Sequence, residues 1–384
     1  MSFILEDAFE ETKKQYQLKL LAGKKGLAKP VSWVYQLEET TIISHFWGEE
    51  LAVTMGLGFQ TKEALIALID KLIAYNASGL FINVGPYLNK IDEEVIDYCE
   101  KHDFPLVTIP WEIILADFIK DYCIRVFRQE NDERELIKAF IIAIETPGMQ
   151  EVYQPVLNRN FNLQGSFQVA ILTPLKSDTM EAMQRRRLLF QLKKAFEELA
   201  NQYIVFWYEE SFALIVNDLE EKILIKLLER MEALTKISDI HNKVHMGYGT
   251  PVHGITELCH AYKRAQAALH MAELRDEQLC SFRDMGVYQL LFSVEDKDIL
   301  CEMYEETLAP LKKYDEEHHT TYEEVLYEYL KYNGSIQAIA EATYTHRNTV
   351  LYRIKKVKEI LGQELESTQE RFPYQVAFYI RDML

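Results

Sequence analysis

Apolar and polar positions alternate in blocks along the first 125 residues, and the blocks predict strands and helices. The apolar runs 50–55, 79–85 and 105–110 have the length and composition of buried strands, and the segments between them have helical spacing. Thr61 stands directly before one of these helices, where a hydroxyl can cap the first turn. Strands that alternate with helices through short connections predict parallel pairing, so residues 1–125 are expected to form an open parallel α/β sheet.

The pattern after this unit predicts two linkers and two further domains. Residues 126–160 are expected to form a helical linker, and residues 161–285 an α+β domain whose helices cover one face of the sheet. A hairpin is expected to turn across Tyr208–Ser211 in that domain. Residues 286–320 are expected to form a second helical linker, and residues 321–384 an all-helical domain.

The all-helical end contains two helices with the spacing of a helix-turn-helix. Ser335 is the expected cap of the first helix, and the turn "TYT" (343–345) leads to a second helix capped by Thr345. Four residues of the second helix form one apolar stripe: Val350, Ile354, Val357 and Leu361. The polar N-terminal side chains then point outward, in the geometry in which such a helix fits the major groove of DNA.

Charge strengthens this hypothesis. The chain has a net charge of −18, yet the segment 345–362 carries five basic residues against one acid. An acidic protein opposes indiscriminate coating of nucleic acid, so any contact with double-stranded DNA must be local. Lysines on a solvated helix face would give the same charge run, and for the lysines alone this alternative stays open. The candidate DNA-binding residues are Thr345, His346, Arg347, Asn348, Thr349, Tyr352, Arg353, Lys355 and Lys356.

The segment "SIQAIAEATYTHRNTVLYRIKKVKEILG" resembles the C-terminal helix-turn-helix of PucR/CdaR-type bacterial transcriptional regulators, whose hallmark is HRNT-x-x-YR. The resemblance implies that His346 and Arg347 face base edges, whereas Thr349, Tyr352 and Arg353 hold phosphates. The sequence departs from the family at Thr343, where leucine is usual, which is expected to loosen the packing between the two helices. "GLAKPVSWVYQLE" and "WGEELAVTMGLGF" resemble the PucR sensory domain, and this implies a small-molecule effector.

Open parallel sheets bind small molecules outside the carboxyl ends of their strands. In the N-terminal unit these strand ends carry glycines, which let a ligand approach the backbone closely, and polar side chains, which can orient it. The glycines can equally serve tight turns, and this alternative stays open. The candidate ligand-binding residues are Glu38, Thr54, Gly56, Leu57, Gly58, Asn83 and Gly85.

The middle unit resembles a degenerate GGDEF-type domain, on the residues "VHMGYGTPV" and "AYKRAQAALHMA". The hairpin "FWYEESFALIV" lacks the glycines that admit the nucleotide, and Trp207 and Tyr208 occupy their place. We therefore expect no cyclase chemistry, no cofactor and no metal, and a role in dimerisation or relay. The pair His318–His319 lies in an acidic helix start, where solvation is favoured over metal binding.

The sequence also indicates the cellular compartment in which the protein works. Five scattered cysteines without a CxxC pair fit a reducing cytosol. The chain begins without a secretory signal, and its apolar runs are too short to span a bilayer, so a cytoplasmic protein without membrane contact is expected.

Together these features predict a homodimeric or higher-order, ligand-responsive transcriptional regulator and not an enzyme. Its partners would be operator DNA and a small effector from purine, sugar-acid or amino-acid catabolism. Two alternatives remain at this point. One is a nucleotide-binding, cyclase-like signalling protein with an accessory helix, and the other is a basic helix that docks on an acidic protein partner.

Overall fold

The computed structural model describes residues 3–174, 182–196, 203–237 and 244–383. The chain divides into two units, Met1–Phe161 and Asn162–Leu384. The first unit contains five strands and five α-helices in this order: α1 Leu5–Thr12, β1 Lys19–Ala22, β2 Trp33–Gln36, β3 Glu50–Thr54, α2 Lys62–Ala74, β4 Gly79–Val84, α3 Glu93–Lys101, β5 Leu106–Pro110, α4 Leu115–Glu145 and α5 Gln150–Leu157.

The five strands form one sheet in the order β1-β5-β4-β3-β2. The pairs β3–β4 and β4–β5 are parallel, as predicted. In addition β2 pairs parallel to β3, and β1 closes the sheet antiparallel to β5. Helices α2 and α3 pack on one face against Ala52 and Leu80, and α1 and α4 pack on the other face against Leu51 and Phe81. Burial on both faces explains why these strands are continuously apolar.

Helix α4 is 31 residues long and serves two cores. Its first half is buried against the sheet through Phe118 and Tyr122, and the Tyr122 hydroxyl hydrogen-bonds Thr12 Oγ1 at 2.9 Å. Its second half buries Phe140, whose ring packs edge-on against Phe161 at 5.0 Å. The polar stretch between these halves, at residues 128–135, contains no buried residue. The segment expected as a linker therefore begins inside a continuous helix.

The second unit begins with a six-stranded sheet. Its described elements are β6 Ser166–Pro174, α6 Ala182–Ala195, β7 Tyr203–Tyr208, β8 Ser211–Asn217, α7 Glu221–Ile237, β9 Val244–Tyr248, β10 Val252–His253, α8 Leu258–Leu274 and β11 Leu279–Ser281. The strand order is β11-β9-β6-β8-β7, with β10 paired to β6. All pairs are antiparallel except β9–β11.

Helices cover both faces of this sheet, so the prediction of a single covered face is wrong. Helices α6 and α7 share a core with alternate strand residues such as Leu172 and Met246. Helix α8 lies on the opposite face, where Gly247 leaves room for it. A Cβ on Gly247 would lie 2.0 Å from the Leu269 backbone nitrogen. The two glycines of "VHMGYG" are the sequence signal for this close approach.

The predicted hairpin is present, and its two-residue turn consists of Glu209 and Glu210. Both have positive φ, 46° and 61°, as a type I′ turn requires. The Glu209 carboxylate folds back onto α8, where Oε2 accepts hydrogen bonds from the Tyr262 hydroxyl at 3.1 Å and from Gln266 Nε2 at 3.0 Å. Among the described residues, no group of three or more His, Cys, Asp or Glu side chains is arranged to hold a metal ion.

Six helices complete the second unit: α9 Tyr288–Phe292, α10 Lys297–His318, α11 Tyr322–Lys331, α12 Ile336–Ala342, α13 Arg347–Leu361 and α14 Thr368–Arg381. Helices α10 to α14 share one core, to which α10 contributes Leu308 and Leu311. A second core joins α8 to α9, α10 and the end of α14 through Met271 and Ile380. His270 Nε2 also hydrogen-bonds the Met383 carbonyl at 3.0 Å. The helical region is thus packed directly on α8.

Candidate nucleic-acid interface

Helices α12 and α13 are joined by a tight turn at residues 343–346. The N-terminus of α12 is capped as predicted, because Ser335 Oγ accepts a hydrogen bond from the Ala338 amide at 3.3 Å. Tyr344 bends the chain between the helices with a φ of 53°, in the left-handed region where glycine is the favoured residue. Its side chain is 98% exposed.

The cap of α13 differs from the prediction. His346 occupies this position, and its Nδ1 accepts a hydrogen bond from the Asn348 amide at 3.2 Å. The prediction of Thr345 as the cap is wrong, because its hydroxyl instead donates to the Thr343 carbonyl at 3.1 Å. Thr343 itself is exposed and donates from Oγ1 to the Ile339 carbonyl at 2.8 Å. Its hydroxyl therefore stays outside the core.

The buried stripe of α13 fixes which side chains face solvent. Val350, Ile354 and Val357 are buried in the core shared with α11 and α12, and Leu361 at the helix end is half-buried. Thr345 is also half-buried. The remaining candidate residues on the turn and helix are exposed, except for Lys356: His346, Arg347, Asn348, Thr349, Tyr352, Arg353 and Lys355.

Two of the five basic residues of α13 are engaged within the protein. Lys356 Nζ lies 3.2 Å from a Glu359 carboxylate oxygen and 5.5 Å from the ring centroid of Tyr314 on α10. The hydrogen bond to Glu359 raises the pKa of Lys356. Lys358 lies 3.6 Å from a Glu364 carboxylate oxygen. Over the part of the chain that the structure describes, Arg347, Arg353 and Lys355 form no ion pair, so their charge is available to a ligand.

Sequence reasoning missed two large side chains on this surface, Tyr344 and Leu351. Leu351 is 55% exposed and follows directly after the buried Val350. The pattern alone favours an apolar residue next to the stripe as part of the core. Its offset from the stripe is the signal that could have identified it, because Val350, Ile354 and Val357 repeat at four and three residues without it.

A second group of candidate residues meets at the carboxyl edge of the N-terminal sheet. Glu38 follows β2, and its Oε1 accepts a hydrogen bond from the Met55 amide at 2.7 Å. Its Oε2 accepts from the Leu57 amide at 2.8 Å and from Thr54 Oγ1 at 3.0 Å. Gly58 permits this approach, because a Cβ there would lie 1.9 Å from the Glu38 carbonyl oxygen. The Glu38 carboxylate thus accepts the hydrogen bonds of two amides in the loop after β3, so these amides are not free to bind a ligand.

The other candidates at this edge serve neighbouring loops. Gly56 has a φ of +81°, and a Cβ on it would lie 2.7 Å from Leu88 Cβ. Asn83 is buried, and its Nδ2 donates to the Pro110 carbonyl at 2.8 Å. Gly85 lies under the indole of Trp111. A Cβ placed on Gly85 would lie 2.3 Å from Trp111 Cε3. Asn83 and Gly85 therefore support the loop after β5.

Exposed apolar side chains surround the same edge. Trp111 is packed edge-on against Tyr87 with ring centroids 5.9 Å apart, and both rings are partly exposed, as is Leu57. These rings were not among the residues predicted from sequence. Exposed aromatics beside the carboxyl ends of parallel strands are the surroundings in which such sheets hold small molecules.

Three parts of the chain match known families. The purine catabolism regulatory protein-like family (PucR) matches residues 8–126, a GGDEF-like domain matches residues 158–271, and the PucR C-terminal helix-turn-helix domain matches residues 322–380. Together with the fold, these matches define a multidomain protein in which a helix-turn-helix follows a GGDEF-like domain. The two ends of the chain are thus similar to the N-terminal and C-terminal domains of PucR-type regulators, and its middle is similar to a GGDEF-like domain. The predicted fold classes of the three parts are confirmed.

Three curated relatives come from Bacillus subtilis (strain 168). The DNA-binding transcriptional activator AdeR is 24% identical over 143 residues, covering 36% of this chain and 34% of AdeR. The proline-responsive transcriptional activator PutR is 30% identical over 135 residues, covering 34% of this chain and 33% of PutR. The purine catabolism regulatory protein is 26% identical over 115 residues, covering 30% of this chain and 22% of that protein. The matched segment spans about a third or less of each relative.

Among solved structures, a regulator of polyketide synthase expression from Bifidobacterium adolescentis matches 64% of this chain and 91% of that chain. The identity is 15% and the TM-score is 0.31. Within the described residues, no helix combines the length and apolar character that crossing a membrane requires.

Proposed function

We propose that this protein is a transcriptional regulator that binds operator DNA through α13. The observation that carries the proposal is the exposed N-terminal half of α13, held by a capped helix-turn-helix and bearing free cations in a chain of net charge −18. The matching helix-turn-helix domain and the relatives named as transcriptional activators support it. The same names indicate a regulator and not an enzyme.

The side chains of α13 have the chemistry of major-groove binding. Arg347 can donate two hydrogen bonds to guanine O6 and N7, and Asn348 can pair in the same way with adenine. His346 keeps Nε2 for a base or phosphate, since Nδ1 caps the helix. The groups proposed to hold phosphates are Thr345, Thr349, Tyr352, Arg353 and Lys355. Lys356 is the weakest member of the predicted set, because Glu359 and Tyr314 already engage it.

One helix-turn-helix makes few base contacts, so we propose a homodimer that binds two half-sites about one helical turn, or a multiple of it, apart. A protein that acts on chromosomal operators would work in the cytoplasm. Within this scheme residues 1–125 sense the effector, the linkers and the GGDEF-like domain transmit its binding, and residues 321–384 bind DNA.

The effector site is proposed at the carboxyl edge of the N-terminal sheet, around Leu57, Tyr87 and Trp111. The names of the relatives support a catabolic effector, with proline and purine compounds as first choices to test. A ligand found by its effect on thermal stability should lose affinity in Leu57→Glu. It should keep its affinity in Leu290→Glu, which places the same charge on an exposed leucine of the other unit. Equal loss in both variants would contradict the site.

DNA binding is tested by selecting genomic fragments of the host with the purified full chain at physiological salt. We expect enrichment of a few fragments by the wild type and by Arg134→Ala, which removes an exposed arginine from α4. Arg347→Ala should lose that enrichment. Equal enrichment by all three proteins, or none by any, would overturn the proposal and would favour a protein partner for α13.

A further inference from the structure

One apolar side chain, Leu351, lies in the middle of the surface that α13 presents to solvent. It is 55% exposed. Asn348 lies three residues before it and Lys355 four residues after it, so the three side chains are neighbours on one helix face. The other flank of the helix is closed, because Lys356 lies over the ring of Tyr314 on α10. The open face of α13 is thus the face that carries Leu351.

The fold gives Leu351 no structural task. The core beneath α13 is built from Val350, Ile354 and Val357, and Leu351 is not among the residues that form it. A helix does not need leucine at this position, because lysine, arginine and glutamine have nearly the same helix propensity. The exposed part of this leucine therefore gains free energy of burial only when a partner covers it.

The major groove contains one apolar group that can cover it. Every base edge in the groove presents donors and acceptors, and only thymine adds an apolar group, its C5-methyl. We propose that Leu351 contacts the 5-methyl group of one thymine in each half-site, beside the base contacted by Asn348. The contact would favour thymine over cytosine at that position, because cytosine carries only a hydrogen at C5 and offers leucine no methyl group to cover. This inference rests on the proposed function.

The test removes the methyl group from the DNA and its partner from the protein. In a half-site defined by the genomic selection, each thymine is replaced in turn by deoxyuridine, which differs only by that methyl group. We expect one position per half-site at which this replacement weakens wild-type binding about four- to tenfold, the effect of one buried methyl group. Leu351→Ala removes this contact from both half-sites, so it should bind the unmodified duplex more weakly by about the square of that factor, and it should be insensitive to deoxyuridine at that position.

Two controls separate the possible outcomes. Leu290→Ala, which truncates a 72% exposed leucine on α9, should retain both the affinity and the deoxyuridine effect. A deoxyuridine effect that persists in Leu351→Ala, or its absence in the wild type, overturns the inference while leaving DNA binding intact. Failure of the selection itself to enrich any fragment overturns the proposed function, and the inference falls with it. Unchanged selection by Leu351→Ala together with loss of dimer would mean that a second copy of the chain covers this leucine.

Discussion

Glu209 and Glu210 bear on whether the GGDEF-like domain can act as an enzyme. Both hold the left-handed backbone of the turn between β7 and β8, a conformation that costs a non-glycine residue about 1 kcal/mol or more. The carboxylate of Glu209 is engaged by Tyr262 and Gln266, so it is directed at α8 and not at a nucleotide site. The turn is therefore maintained by contacts with α8 in place of glycine.

Replacing Glu210 by glycine should stabilise the second unit by about 0.5 kcal/mol, since the relief of left-handed strain exceeds the added freedom of the unfolded chain. Urea unfolding of the full chain measures the change. Glu220→Gly, outside the hairpin, is the control and should not stabilise. Incubation of the wild type and Glu210→Gly with GTP and magnesium should give no cyclic product. Formation of a cyclic product by either protein would support the alternative of a cyclase-like signalling protein.

Glu50 supplies a pH dependence in the first unit. It is buried at the start of β3, where its carboxylate accepts hydrogen bonds from the Trp47 and Gly48 amides. Burial raises the pKa of Glu50 above its ordinary value of 4.5. The folded state therefore binds this proton more tightly than the unfolded state, and the free energy of unfolding falls as the pH rises from 4.5 through the folded pKa.

Glu50→Gln should remove this dependence. The free energy of unfolding of the variant minus that of the wild type should increase as the pH is raised from 4.5 to 7, whatever constant offset the lost acceptor introduces. Denaturant unfolding at several pH values measures the difference. Glu39→Gln, which changes an exposed acid near the sheet edge, is the control for the substitution itself. A difference in the free energy of unfolding that does not change with pH for Glu50→Gln would contradict the raised pKa of Glu50.

Residue-level prediction succeeded where one chemical group determines the outcome. Ser335 and Thr61 cap their helices because a hydroxyl can accept from the third residue of the helix. It failed at Thr345, because His346 has a ring nitrogen that competes for the same role and sequence does not rank the two. Glu38 could be proposed only as a candidate. Its placement on the β3 loop depends on parallel pairing of β2 with β3, which no local pattern specifies.

At the scale of elements, helix α11 is fixed by a side chain from its neighbour α10. The Asp315 carboxylate accepts hydrogen bonds from the amides of Tyr322 at 2.7 Å and Glu323 at 2.9 Å, and from Thr320 Oγ1 at 2.6 Å. Asp315 thus caps the helix on which α13 packs. The sequence predicted strands and helices from periodicity, but a cap supplied from another helix has no periodic signature.

Asp315→Ala should lower the free energy of unfolding of the second unit by about 1–2 kcal/mol, the usual effect of losing an N-cap. Denaturant unfolding followed by circular dichroism measures it. Glu316→Ala, which removes an exposed acid from the same turn of α10, should change stability by less than about 0.5 kcal/mol. Equal effects in the two variants would attribute the loss to charge and not to the cap.

For the whole molecule, the balance between a local basic helix and a net charge of −18 determines how affinity responds to salt. If Arg353 and Lys355 hold phosphates in both halves of a dimer, four phosphates are neutralised, and log K should fall against log salt with a slope of about −4. Non-specific binding should be weak at physiological salt, because the acidic remainder of each chain repels the duplex.

The variants separate the roles of the cations. Lys355→Ala should make the slope shallower by about 2 in the dimer, since it removes one phosphate contact from each helix. Arg347→Ala should lower affinity for the selected operator and leave the slope nearly unchanged, because its proposed partner is a base. Lys356→Ala should change neither, because Glu359 and Tyr314 hold that side chain within the protein. Fluorescence anisotropy over a range of potassium chloride concentrations measures all four proteins. A slope as steep in Lys355→Ala as in the wild type would contradict the proposed phosphate contact.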